Sequence, residues 1–110
     1  MVETIKFNFG DFTDKGRIIS LSGRDKGVAI REKWKLDEYE KDENKKFIIE
    51  VPKELKGLTG SLIQGLFTKT IENIGIDGFY TRYEFSSDKI GVITDIRQII
   101  ETLANAPDRD

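Results

Sequence analysis

The chain of 110 residues contains no cysteine and no histidine. The first absence excludes a disulfide framework and thiolate metal sites, and it fits a reducing, cytoplasmic compartment. The second excludes Ser-His-Asp and Cys-His nucleophilic centres and His-ligated zinc within this sequence. No apolar run approaches the roughly 20 residues that cross a bilayer, so no membrane partner is expected. The opening MVETIKFNFGDF has no basic segment leading into an apolar core, and no secretory signal is read there. Neither G-x-G-x-x-G nor G-x-x-x-x-G-K-[ST] occurs, so no motif names a cofactor. No metal site is expected, and nothing marks the chain as an enzyme.

What is present describes a well-solvated single domain. Apolar residues make up 37% and charged residues 35%, a balance typical of a globule whose one core fits this length. The net charge of −2 argues against direct nucleic-acid binding. That charge is unevenly placed. From Lys15 to Lys35, seven basic residues face two acidic ones, a surplus of five positive charges, which leaves the rest of the chain with a surplus of seven negative ones. The plain account is a solvated face. The sharper one is an anion site or acidic-partner surface, built from Arg24 and Arg31 with Gly23 and Gly27 letting the backbone approach. The carboxylates at Asp11, Asp14, Asp37, Glu38, Asp42, Glu43, Glu84 and Asp88 fall in no catalytic or calcium-loop spacing, and solvation accounts for them.

Periodicity gives the elements. ETIKFNF alternates Ile5, Phe7 and Phe9 against Thr4, Lys6 and Asn8, a half-buried strand. Arg17–Leu21 reads as a second strand, pairing with the first as a hairpin. A helix begins within Ser22–Gly27, capped by Ser22 or Asp25, with Val28, Ile30, Trp34 and Tyr39 on its apolar side. Trp34 anchors it on the sheet. The charged run KLDEYEKDENKK reads as a last turn and an exposed loop. Phe47–Val51 is the central strand, apolar enough for burial on both faces. A second helix runs from Thr59 to Ile74 on a stripe of Leu62, Ile63, Leu66, Phe67, Thr70, Ile71 and Ile74, and Gly75 stops it. Ser61-Leu62-Ile63-Gln64 fits a capping box. Phe79–Ser86 reads as a strand whose outer aromatics accept a partner if it is an edge. A third helix, from Asp88 or Thr94 to Leu103, carries Ile93, Ile96, Ile100 and Leu103. The expected fold is α/β (α+β), a mixed β-sheet with helices packed on it in the order β-β-α-β-α-β-α. One domain covers 1–105 and a frayed tail covers 106–110.

Two segments carry a resemblance. Ser22-Gly23-Arg24-Asp25-Lys26-Gly27-Val28-Ala29-Ile30-Arg31 is similar to a Ser-Arg-x-x-Gly-x-x-Leu-Arg helix opening. Leu58-Thr59-Gly60-Ser61-Leu62-Ile63-Gln64-Gly65-Leu66-Phe67 is similar to an Ile-Thr-Ser-Ser-Phe turn after a central strand. With the element order, this resembles STAS domains, named for sulphate transporters and anti-sigma factor antagonists, and more closely a STAS-like family of unknown function found in bacteria and phages. The resemblance implies a small cytoplasmic regulator that binds a protein partner, such as a GHKL-type kinase, and is switched by phosphorylation at the strand-to-helix turn. By position, Thr59 matches the phosphoacceptor, with Ser61 two residues on, and Leu58, Gly60 and Leu62 complete the turn. The chain departs from the pattern where Leu58 replaces an Asp before the acceptor and where the strand ends in Glu-Val-Pro. Two other readings stay open: a phage or mobile-element inhibitor that masks a basic host protein with its acidic majority, Asp37 to Glu43 included, and a nucleotide- or anion-binding domain using the Ser22–Gly27 turn.

Overall fold

A computed structural model describes residues 2–88 and 90–104. Strand β1 (Glu3–Asn8) is followed by a short 3-10 turn at Phe9–Phe12 and by β2 (Ser20–Leu21). Helix α1 (Arg24–Lys33), the short α2 (Leu36–Glu40), β3 (Lys45–Glu50) and β4 (Gly57–Leu58) come next. Helix α3 (Gly60–Arg82), β5 (Tyr83–Ser86) and α4 (Ile90–Ala104) complete the α/β fold. The expected tail at 106–110 lies outside the described residues.

The strands form two parallel sheets, one ordered β1-β3-β5 and one pairing β2 with β4. The expected opening hairpin is not formed. β1 pairs in parallel with β3, from Glu3 opposite Lys45 to Asn8 opposite Glu50, and β2 pairs with β4 instead. The physical reason is the crossover: with a helix between the two strands of each pair, parallel pairing lets the chain return across one face of the sheet. β3 is central, as expected, but its burial alternates. Phe47 and Ile49 are buried while Lys46 is exposed and Ile48 half-buried, so one face meets the helices and the other does not.

The helix-facing side is strongly aromatic. Phe47 stacks on Tyr83 at 4.7 Å, and Phe67 of α3 meets Tyr83 edge-on at 5.3 Å. Trp34, at the end of α1, stacks on Phe7 at 4.7 Å and also meets Phe9 and Phe12. The indole therefore fixes α1 to the sheet, as its lone aromatic position predicts.

α1 and α3 cross at unusually close range because glycines meet backbone. A Cβ on Gly27 would lie 2.1 Å from the Leu62 carbonyl oxygen, and one on Gly65 would lie 2.1 Å from that of Arg24. Only hydrogen fits at either position. Gly27 thus serves helix packing and faces α3.

Gly75 interrupts α3 with φ 74 and ψ 174, but the helix resumes and continues to Arg82. Phe79–Arg82 are helical, so the strand expected over 79–86 is confined to Tyr83–Ser86. Ile76, Phe79 and Tyr80 repeat at the helical spacing of three and four. Phe79 stacks on Tyr83 at 4.9 Å, and this packing overrides the strand preference of FYTR.

The charged run after α1 is an exposed loop only over 41–44. Lys35 takes a left-handed conformation (φ 58), α2 follows, and Leu36 is fully buried. The run is also stapled from across the fold. Arg82 donates to the carbonyls of Glu40 at 2.8 Å, Asp42 at 2.6 Å and Lys45 at 3.1 Å, so one guanidinium caps the end of α2 and the start of β3.

Candidate functional site

The two short strands end side by side, and each feeds a helix. β2 leads through Ser22 and Gly23 into α1, and β4 leads through Thr59 into α3. Gly23 has φ 98, which favours a residue without Cβ. The ladder extends past the strands, because the Lys56 N–H donates to the Ile19 carbonyl at 2.6 Å and the Thr59 N–H to that of Leu21 at 3.2 Å.

Thr59 has extended backbone (φ −79, ψ 158) and is the N-cap of α3. Its Oγ1 accepts from the Leu62 N–H at 3.3 Å and from the Gly23 N–H at 3.3 Å, and lies 3.1 Å from Ser61 Oγ. One hydroxyl therefore ties together the starts of two helices, each presenting first-turn N–H groups and the positive end of its dipole. The cap expected at Ser61 is at Thr59 instead, because Ser61 already lies within the first helical turn and only Thr59 has the extended backbone a cap requires. Likewise neither Ser22 nor Asp25 caps α1: Gly23 stands at that position with no side-chain bond.

The structure places the other residues of the turn in distinct environments. Thr59 and Ser61 are exposed, Gly60 and Leu58 half-buried, and Leu62 fully buried. Leu62 therefore anchors the turn in the core and leaves the hydroxyls at the surface. Exposed apolar side chains stand on the flanking segments, Ile18 and Ile19 before β2 and Val28 one turn into α1.

Losing the cap gives a measurable effect. Thr59→Ala is expected to cost about 1 kcal/mol in chemical denaturation, whereas Ser61→Ala stays within about 0.5 kcal/mol. Equal effects at both positions would place the cap elsewhere.

Arg24 and Arg31 do not come together. Arg24 is exposed beside Gly23, while Arg31 is 5% exposed and directed against α2 and α3. Arg31 donates to the Leu66 carbonyl at 2.9 Å, Thr70 Oγ1 at 2.8 Å, Glu40 Oε1 at 2.9 Å and Asp37 Oδ1 at 3.0 Å. Glu40 Oε2 in turn accepts from Thr70 Oγ1 at 2.5 Å and from the Tyr83 hydroxyl. Partial burial opposes ionisation of Asp37, but the hydrogen bond and charge of Arg31, with Lys69 nearby, hold its carboxyl below the usual range.

This buried cluster escapes sequence reading because Thr70 occupies an apolar stripe and Glu40 lies in a run that looks uniformly solvated. The available signal is Leu36 and Tyr39, spaced as one helix face, which turns Asp37 and Glu40 toward Arg31. Its members are internally satisfied, and it holds α1, α2, α3 and β5 together. No group of three or more potential metal ligands occurs among the described residues.

Burial, followed by the charge and hydrogen bond of Glu40, pushes the Tyr83 hydroxyl well above its ordinary range. A folded pKa raised above the unfolded one gives stability that is complete below about pH 10 and lost as pH rises. The loss is about 1.4 kcal/mol per pH unit for this one group, because only the unfolded chain releases the proton. Tyr83→Phe is expected to cost about 2 kcal/mol at neutral pH and to flatten the decline above pH 10. Parallel alkaline declines in the two proteins would refute the assignment.

Compared with protein-family models, with curated proteins and with solved structures, the chain matches none.

Proposed function

We propose that this chain is a small regulatory module that works by binding a protein partner, and that the partner docks where α1 and α3 begin. The observation that carries the reading is the exposed Thr59–Ser61 hydroxyl pair, held at the junction of two helix starts and flanked by exposed Ile18, Ile19 and Val28. Exposed aliphatic side chains give a partner apolar area, and the hydroxyls give it a polar centre that chemistry can alter. A phosphate on Thr59 or Ser61 adds up to about two negative charges, and the helix dipoles and Gly23 and Leu62 N–H groups accommodate them without unfolding the turn. The partner then meets charge where it met a neutral hydroxyl. This is the logic that the STAS-like resemblance implies, and a GHKL-type kinase is the partner class it favours.

The acidic-inhibitor reading gains no support from the Asp37–Glu43 segment. Glu40 is turned inward, Asp37 pairs with Arg31 and Lys69, and Asp42 pairs with Lys45, so much of that charge is spent internally.

Site-specific photo-crosslinking tests the proposal. A photoreactive side chain at Ser61 is expected to yield a discrete protein adduct in source-cell lysate, while one at Lys46, on the sheet face away from the helices, yields none. Adducts from Lys46 alone would move the interface to the open sheet face and remove the proposal.

A further inference from the structure

A second surface lies along the free edge of β5, remote in sequence from the Thr59 turn. β5 pairs with β3 on one side only among the described residues, and in its short sequence Tyr-Glu-Phe-Ser the one charge is Glu84. It has no proline and no lysine, whereas the opposite edge strand, β1, carries Lys6. Beside β5 runs a groove of about 550 Å³ between the strand and α4. Glu84 and Phe85 point to opposite faces of the sheet, yet both line it, so the groove follows the strand edge.

The lining sets the chemistry of an occupant. Tyr80, Phe85 and Ile93 are half-buried and give the groove an apolar floor. Two exposed carboxylates, Glu84 and Glu101, stand at its rim against one cation, Arg97, whose guanidinium lies over the Tyr80 ring at 5.8 Å. Among the described residues the rim therefore has two carboxylates against one cation, and that cation is already engaged. From the unpaired edge, the apolar floor and the acidic rim, we infer that β5 accepts an extended peptide of a partner protein as an added strand, one apolar side chain entering the groove beside a lysine or arginine that meets Glu84 and Glu101. Main-chain hydrogen bonds along β5 supply affinity, and the groove and rim supply selectivity. This inference does not rest on the reading of the Thr59 turn.

The test is selection of a random dodecapeptide display library on the full folded chain, followed by synthesis of the enriched peptide. The expected motif is an apolar residue with a neighbouring basic one. Its binding should shift the amide resonances of residues 83–86, fall at least tenfold in Glu84→Lys and in Glu101→Lys, and fall again when alternate peptide nitrogens are methylated. Both substitutions are at exposed positions, and the melting temperature verifies that each variant is folded. Four results would overturn the inference: no enriched peptide, enriched peptides that perturb resonances away from β5, binding indifferent to both substitutions, or concentration-dependent shifts of residues 83–86 without peptide. The last would assign the edge to a second copy of the chain.

Discussion

Gly27→Ala and Gly65→Ala are each expected to lower stability by about 3 kcal/mol, and to lower the melting temperature by roughly 10–20 °C. Alanine is the better helix former by about 1 kcal/mol, so an isolated helix would gain from either change. The crossing decides the sign. At both positions the new methyl meets main-chain oxygen of the facing helix at 2.1 Å, with further backbone atoms within 3.0 Å, and no flexible side chain stands there to yield. Relief requires the helices to separate, which loosens Leu62, Leu66 and Ile30 in the core beneath. Since domains of this size hold only about 5–15 kcal/mol, such a loss is a large share of the total. Gly60→Ala and Gly91→Ala are the internal controls, because nothing lies within 4 Å of a Cβ at either. A thermal melt of Gly65→Ala within about 2 °C of the parent would show that the helices do not approach this closely.

The Arg31–Glu40 pair gives the second large effect. Arg31→Met leaves the buried Glu40 carboxylate with two hydroxyl donors and no countercharge, at a cost of about 3–5 kcal/mol. Glu40→Met is expected to cost somewhat less, because Arg31 keeps Asp37, Thr70 and the Leu66 carbonyl. The double variant is expected to lose much less than the two singles together, since burial without charge removes the desolvation penalty on both sides. Strict additivity in a double-mutant cycle of urea denaturation would mean that the two groups do not interact.

These two devices differ in how far the sequence foretells them. The stripe from Leu62 to Ile71 repeats at helical spacing, so α3 and its buried face are legible from residue type alone. The apolar run Phe47–Val51 likewise marks the central strand, although it reads as buried on both faces where β3 buries one. The helix crossing is not legible, since Gly27 and Gly65 have no side chain and therefore no periodic signature. They acquire meaning only when the two helices are placed together. Pairing is equally non-local: a two-residue strand such as Gly57–Leu58 has too few positions to show alternation, and Arg17–Leu21 reads as a hairpin partner until β4 claims it. Arg31 shows a third kind of blindness, in which a charged residue reads as surface because its neutralising partners come from α2 and α3. At the candidate site, Thr59 and Ser61 stand out as turn hydroxyls in the sequence. Which of them caps the helix depends on one backbone conformation.

Quantitative capture from source-cell lysate with paired Thr59 variants tests the central claim most directly. Asparagine and aspartate both cap helices well, so Thr59→Asn and Thr59→Asp keep the turn and differ in charge. The account predicts a specific partner retained by the parent and by Thr59→Asn, and lost with Thr59→Asp. Retention of the same partner by all three, or failure of the parent to retain any protein, would contradict docking at this turn.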